Sequence, residues 1–138
     1  MTTTRFDLEA EVRDLAARRD IADAAARYMR GLDRLEPDLQ RSAFHDDAVV
    51  DCGLMKGSAD EFVAFAQGFL ADMNATHHLL GQSRIAVDGD GATGEWYFQA
   101  WHSVSSEDGA CATCSSRAAT STLMPAAMAN GASSTGCW

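Results

Sequence analysis

The chain has 138 residues, enough for one domain with a sizeable core. It carries 20 Asp and Glu against 11 Lys and Arg, a formal net charge of −9, which argues against nucleic acid or an anionic membrane surface as a partner. No apolar run approaches the roughly 18 residues of a membrane span, and the N-terminal MTTTRFDLEAEVRD lacks an apolar signal core, so a cytoplasmic protein is expected. Cys111 and Cys114 form one CxxC, but no second pair or neighbouring His accompanies it, so neither a metal site nor a cofactor is expected.

In chain order, residues 7–18 read as a first helix with Leu8, Val12 and Leu15 on one side. The stretch from Arg18 to Leu35, RRDIADAAARYMRGLDRL, reads as a second helix around which the rest is organised. Ile21, Ala25, Tyr28 and Leu32 form its apolar stripe, Asp20 is placed to cap it, and Gly31 loosens its last turn. Asp33 ends it beside the stripe, either as an exposed charge or as an ionisable group facing a pocket. Pro37 suits the first turn of a short third helix, PDLQRSAF. HDDAVVDCG then reads as a strand that LMKG continues into a hairpin. Ser58 or Asp60 opens a helix over residues 59–73, with Phe62, Phe65, Ala66, Phe69 and Leu70 on its apolar face. THHLLGQSRIAV and ATGEWYFQAWHSVS read as two long strands joined by the turn DGDG. The plan is α+β.

After Gly109 the character changes. Residues 110–138 carry one charge, Arg117, and one aromatic, Trp138, within a run of Ala, Ser, Thr and Cys that has neither strand nor helix periodicity. Such a segment buries too little to offset its ordering entropy, so an irregular, low-complexity tail is expected after a domain spanning residues 1–109.

The helix RRDIADAAARYMRGLDRLEPD and the strands THHLLGQSRIAVDGD and GEWYFQAWH resemble the SnoaL-like branch of the nuclear transport factor 2-like superfamily, over roughly residues 8–104. The resemblance implies a cone: a curved antiparallel sheet and three to four helices around a deep pocket. Relatives include scytalone dehydratase, bile-acid 7α-dehydratase and hexachlorocyclohexane dehydrochlorinase. It implies an Asp–His acid/base pair, with Asp33 matching the Asp at the end of the long helix and His78 the His on the first long strand. His77 competes for the second position, and since strand neighbours face opposite sides, one of the two enters the pocket. Tyr28 matches the tyrosine of the bile-acid enzyme. Tyr28 and Asp33 lie five residues apart, about 140° around a helix, so they converge only if the pocket wraps the helix or Gly31 distorts it. Phe65, Phe69, Trp96, Phe98 and His102 are candidates for the pocket wall, each also readable as plain core or, for His102, as a strand-end histidine.

The chemistry fits such a pair. Elimination of water or HX beside an acidic C–H needs a base of near-neutral pKa, and a carboxylate on the other ring nitrogen fixes the tautomer of an imidazole that supplies it. The expected function is a cofactor-free lyase or isomerase for a small apolar ring compound, with a homodimer as the assembly implied by the family. The alternatives are a non-catalytic small-molecule-binding or dimerisation module and an inactive product of a shifted reading frame. The last follows from the tail, because the family continues there with two long strands. GC-rich codons for the tail, read one frame over, can give VRDVFVAGRYIDTYARRDGEWRIVHRML, a close likeness of those strands.

Overall fold

One helix, not two, opens the chain. In the computed structural model, which describes residues 6–105 in full and the backbone of residues 111–121 and 136–137, α1 runs unbroken from Leu8 to Asp33. Asp7 caps it, accepting from the backbone N–H groups of Glu9 and Ala10 at 3.1 and 3.2 Å. The expected break at residue 18 is absent because Ala16, Ala17, Arg18 and Arg19 are all good helix formers. Asp20 therefore lies inside the helix, paired with Arg19 at 2.6 Å, and not at its start. Leu8, Val12 and Leu15, on one side of the first turns, are exposed, and the buried face begins at Ala17 and continues through Ile21, Ala25, Tyr28 and Leu32.

α2 spans Pro37–Arg41 with Pro37 in its first turn. It packs so closely on α1 that a Cβ on Gly31 would stand 2.5 Å from the Gln40 backbone nitrogen. Gly31 thus serves close packing, and the helix does not loosen there. β1 (Val49–Asp51) and β2 (Lys56–Ser58) form a short antiparallel hairpin. α3 covers Ala59–Ala71 and starts with a capping box: the Ser58 hydroxyl accepts from Glu61 N–H, and the Glu61 carboxylate accepts from Ser58 N–H at 2.8 Å.

β3 (Ala75–Asp88) and β4 (Gly91–Ser105) form the long hairpin, in register from Ala75↔Ser103 to Asp88↔Gly91. Its turn is Gly89-Asp90, with Gly89 at φ +57°, the left-handed conformation that glycine adopts at the first position of a tight hairpin turn. A register shift between Leu80 and Ser83 interrupts the ladder, the kind of irregularity that bends a strand. The sheet order is β3-β4-β5-β6, with β5 at Cys111–Ser121 and β6 at Gly136–Cys137.

β5 lies within the tail that begins after Gly109. Residues 111–121 pair with β4 from Ser105↔Cys111 to Gly94↔Ser121. The physical reason is that backbone pairing needs no large side chain, and CATCSSRAATS holds neither Gly nor Pro to interrupt the ladder. Residues 106–110, 122–135 and 138, with the expected boundary at 109 and Pro125, lie outside the described residues.

The architecture is α+β, helices packed on antiparallel sheet. Among the described residues, one apolar cluster joins Tyr28, Met29 and Leu32 to Val50, Phe62 and Leu70, and another joins Ile21 and Ala25 to Ala92 and Trp96. The first cluster borders the candidate site.

Candidate functional site

α1 ends where β3 begins to cross it, and this places Asp33 against His78. The His78 backbone N–H donates to both Asp33 carboxylate oxygens at 2.9 and 3.1 Å, and Nδ1 of its ring lies 2.7 Å from Oδ1. The carboxylate accepts from Nδ1–H, which leaves Nε2 as the basic nitrogen. Both side chains are largely enclosed, at 7% exposure for His78 and 20% for Asp33. His77, the next residue back along β3, is exposed on the opposite face.

His78 lines an apolar cavity of about 150 Å³, of the size that accommodates a single six-membered ring. Tyr28, Cys52, Phe62, Phe98 and His102 share the wall, and Phe65 and Phe69 stand at the rim with their rings stacked 6.5 Å apart. Asp33 is not on this wall. That removes the difficulty of the 140° separation on α1: Tyr28 faces the cavity directly, and Asp33 holds His78 from behind, so the helix need not distort.

Tyr28 packs its ring between Phe44 and Phe62, at 5.6 and 6.2 Å. Burial, with a smaller contribution from Cys52, pushes its hydroxyl well above the ordinary tyrosine range, so it is a neutral phenol able to donate. His102 lies diagonally from His78 across the β3–β4 pair, because His78 faces Ala100 and Thr76 faces His102. The two imidazole rings are 5.3 Å apart, edge to face. Burial lowers the His102 pKa, the neighbouring His78 lowers it further, and Asp33 opposes both. Its Nδ1 is 3.1 Å from the Thr76 hydroxyl.

Of the residues expected from the sequence, Phe65, Phe69, Phe98, His102, Tyr28 and His78 meet at one cavity. Trp96 does not. It lies on the same face of β4 as Phe98, but nearer the turn, where it packs on Ile21, Ala25 and Ala92. Strand alternation identifies its face correctly, but cannot say how far along the strand the cavity extends. Cys52 and Thr76 were not anticipated. Thr76 was readable, since it stands two residues before His78 and therefore on the same face. Cys52 reaches the wall through the β1–β2 hairpin, and no local signal marks it. Among the described residues no three His, Cys, Asp or Glu side chains gather as a metal-binding group.

Several solved structures share this fold. Hexachlorocyclohexane dehydrochlorinase LinA-type3 from Novosphingobium barchaimii superposes with a TM-score of 0.74 at 17% identity, covering 91% of this chain and 88% of that one. An NTF2-like protein with a cystatin-like fold from Novosphingobium aromaticivorans gives 0.68 at 20% identity, over 99% and 91% of the two chains. Kfla4162 from Kribbella flavida gives 0.69 at 18%, over 90% and 91%. No curated protein matches the sequence. The family profile of the SnoaL-like domain matches residues 13–124, most of the chain. The chain is therefore a member of the SnoaL-like family.

Proposed function

We propose that the protein is a cofactor-independent lyase or isomerase, of dehydratase or dehydrohalogenase type, acting on a small apolar ring compound. The observation that carries this reading is the 2.7 Å contact between His78 Nδ1 and Asp33 Oδ1, with His78 on the wall of an apolar cavity. In the proposed step His78 Nε2 removes a proton from the carbon next to the leaving group. Asp33 keeps the ring in the tautomer that makes Nε2 the base, and its charge stabilises the imidazolium that forms. The electron pair of the broken C–H bond forms the new double bond, and the leaving group departs with its own bonding pair. Where that group is hydroxide, the neutral Tyr28 phenol supplies the proton that turns it into water. Where the substrate is a ketone, the same hydroxyl binds the carbonyl oxygen and steadies the enolate. Neutral His102 forms a polar edge of the wall.

The likeness in fold to a dehydrochlorinase supports the class of reaction. The wall chemistry supports the class of substrate: Phe62, Phe98, Leu32 and Leu70 offer shape and aromatic faces, and few charges. The test is turnover of a panel of chlorinated cyclohexanes and hydroxylated ring ketones. His78→Ala and Asp33→Asn should each lower kcat/KM by about 10²–10⁴-fold. Full turnover in both variants would overturn the assignment. Ring compounds that bind without turnover by the intact protein would favour a non-catalytic binding module.

A further inference from the structure

We propose that the outer cleft between α1 and β3 is a binding site for a small oxyanion, a carboxylate or a phosphate, held by Arg30 and Arg34. The cleft measures about 380 Å³, includes Asp33, and shares only His78 with the wall of the apolar cavity. Arg30, in the last turn of α1, and Arg34, the residue that caps its C-terminal end, line this cleft together with His77. Met29 and Leu80 form the apolar part of its wall.

The charge pattern singles these two arginines out. The chain has nearly twice as many carboxylates as cations, and its described cations are mostly paired. Arg13 pairs with Glu9, Arg18 with Asp14, Arg19 with Asp20, Arg27 with Asp23, Arg41 with Asp46 and Asp60, and Lys56 with Asp51. Among the described residues only Arg30, Arg34 and Arg84 have no carboxylate within 4.0 Å, and two of those three line the same cleft. Asp33 shares that cleft, yet both its oxygens are already engaged by His78. Two guanidinium groups without partners therefore face a concave surface whose one carboxylate is turned to other use. Guanidinium presents a planar fork of N–H donors that matches carboxylate and phosphate oxygens in pairs, and chloride offers no such geometry.

This site is separate from the acid–base reading, since it depends on Arg30 and Arg34 and not on turnover. The experiment is a titration of the 138-residue protein at pH 7 with inorganic phosphate, sodium acetate or sodium chloride at matched ionic strength, followed by the arginine Nε–H resonances and the His77 and His78 amides. Saturable shifts with phosphate and acetate, at least about tenfold weaker in Arg30→Gln and in Arg34→Gln and unchanged in the control Arg13→Gln, would support the site. Asp33→Asn should tighten phosphate binding, because a nearby negative charge is removed, even as it lowers turnover. Equal, non-saturating shifts with all three salts, or saturation that survives both arginine substitutions, would overturn it. Far-UV circular dichroism on each variant separates lost binding from lost folding, and Arg30→Lys, which keeps the charge but not the fork, should bind between the wild type and Arg30→Gln.

Discussion

His102 is the residue whose protonation most directly couples the site to stability. Burial and the adjacent His78 ring hold its pKa below the ordinary histidine value, against the opposing pull of Asp33. Its folded pKa is thus depressed, and the unfolded chain takes up the proton first as pH falls. Stability is unaffected well above about pH 6.5 and declines as pH drops through that value towards the lower folded pKa. The melting temperature should fall between pH 7.5 and pH 5, and His102→Gln should show a smaller fall. An equal fall in both would mean that His102 does not contribute. Tyr28 behaves oppositely at high pH. Its folded pKa is raised, so stability holds below the ordinary tyrosine range, about pH 10, and is lost as pH rises above it. Tyr28→Phe should melt less steeply with pH between 9 and 11. At this scale the sequence says much about which groups are present and little about their surroundings. Asp33 and His78 are readable from the family resemblance, whereas strand parity says only that His77 and His78 face opposite sides. The burial that keeps Tyr28 and His102 neutral arises from Phe44, Phe62 and Phe69, which come from other elements and carry no local mark of it.

At the scale of the element, local chemistry proved most readable where a capping or turn residue stands at a boundary. Ser58 with Glu61, Pro37 and the Gly89-Asp90 turn are each visible in the chain and present in the structure. Where no such residue stands, the reading failed: nothing between Ala16 and Asp20 interrupts α1, and a pause was expected there because two apolar patterns abut. The outward direction of Leu8, Val12 and Leu15 was not readable either, since a helical stripe shows which residues share a face and not whether anything covers it. Two substitutions test the elements. Ser58→Ala removes the hydroxyl that accepts from Glu61 N–H and should destabilise by about 1 kcal/mol in chemical denaturation. Gly31→Ala should cost more, about 1–3 kcal/mol, because its methyl meets the Gln40 backbone and not a flexible side chain. The α1–α2 contact also carries the Gln67 amide, which donates to the Gly31 carbonyl at 3.1 Å and to Gln40 Oε1 at 2.7 Å. A neutral Gly31→Ala would show that α2 yields easily, and that the end of α1, with Asp33, is less firmly placed than the geometry implies.

At the scale of the whole molecule, the described part of the sheet, the β3–β4 hairpin, packs one face on the helices and leaves large apolar side chains exposed on the other. Leu79, Tyr97 and Trp101 stand at the odd, outward positions of β3 and β4, at 54%, 56% and 36% exposure, and we propose that a second copy of the chain covers them. A homodimer is the expected occupant, and light scattering at micromolar concentration should give twice the chain mass. A monomer, or an unchanged mass in Tyr97→Glu, would count against this face. The next strands bear on the same sheet. β5 pairs with β4 along its backbone, but its sequence, CATCSSRAATS, holds no large apolar residue, whereas β4 carries Trp96, Tyr97, Phe98 and Trp101. We propose a shifted reading frame as the source of this composition: with GC-rich codons, the frame one over can give VFV, RYI and WRIV where this chain has Ala, Ser and Thr. Each large apolar side chain buried in place of a small one contributes on the order of 1.5–3 kcal/mol, against a total stability of about 5–15 kcal/mol for a domain. A chain carrying the alternative tail in place of residues 110–138 should therefore melt several degrees higher and more cooperatively than the 138-residue protein. Sequencing the gene across the codons for Ser106 to Cys114 supplies the independent check. A single inserted or deleted base there would explain the tail, whereas equal melting of the two proteins would show that small side chains and backbone pairing suffice to complete the sheet.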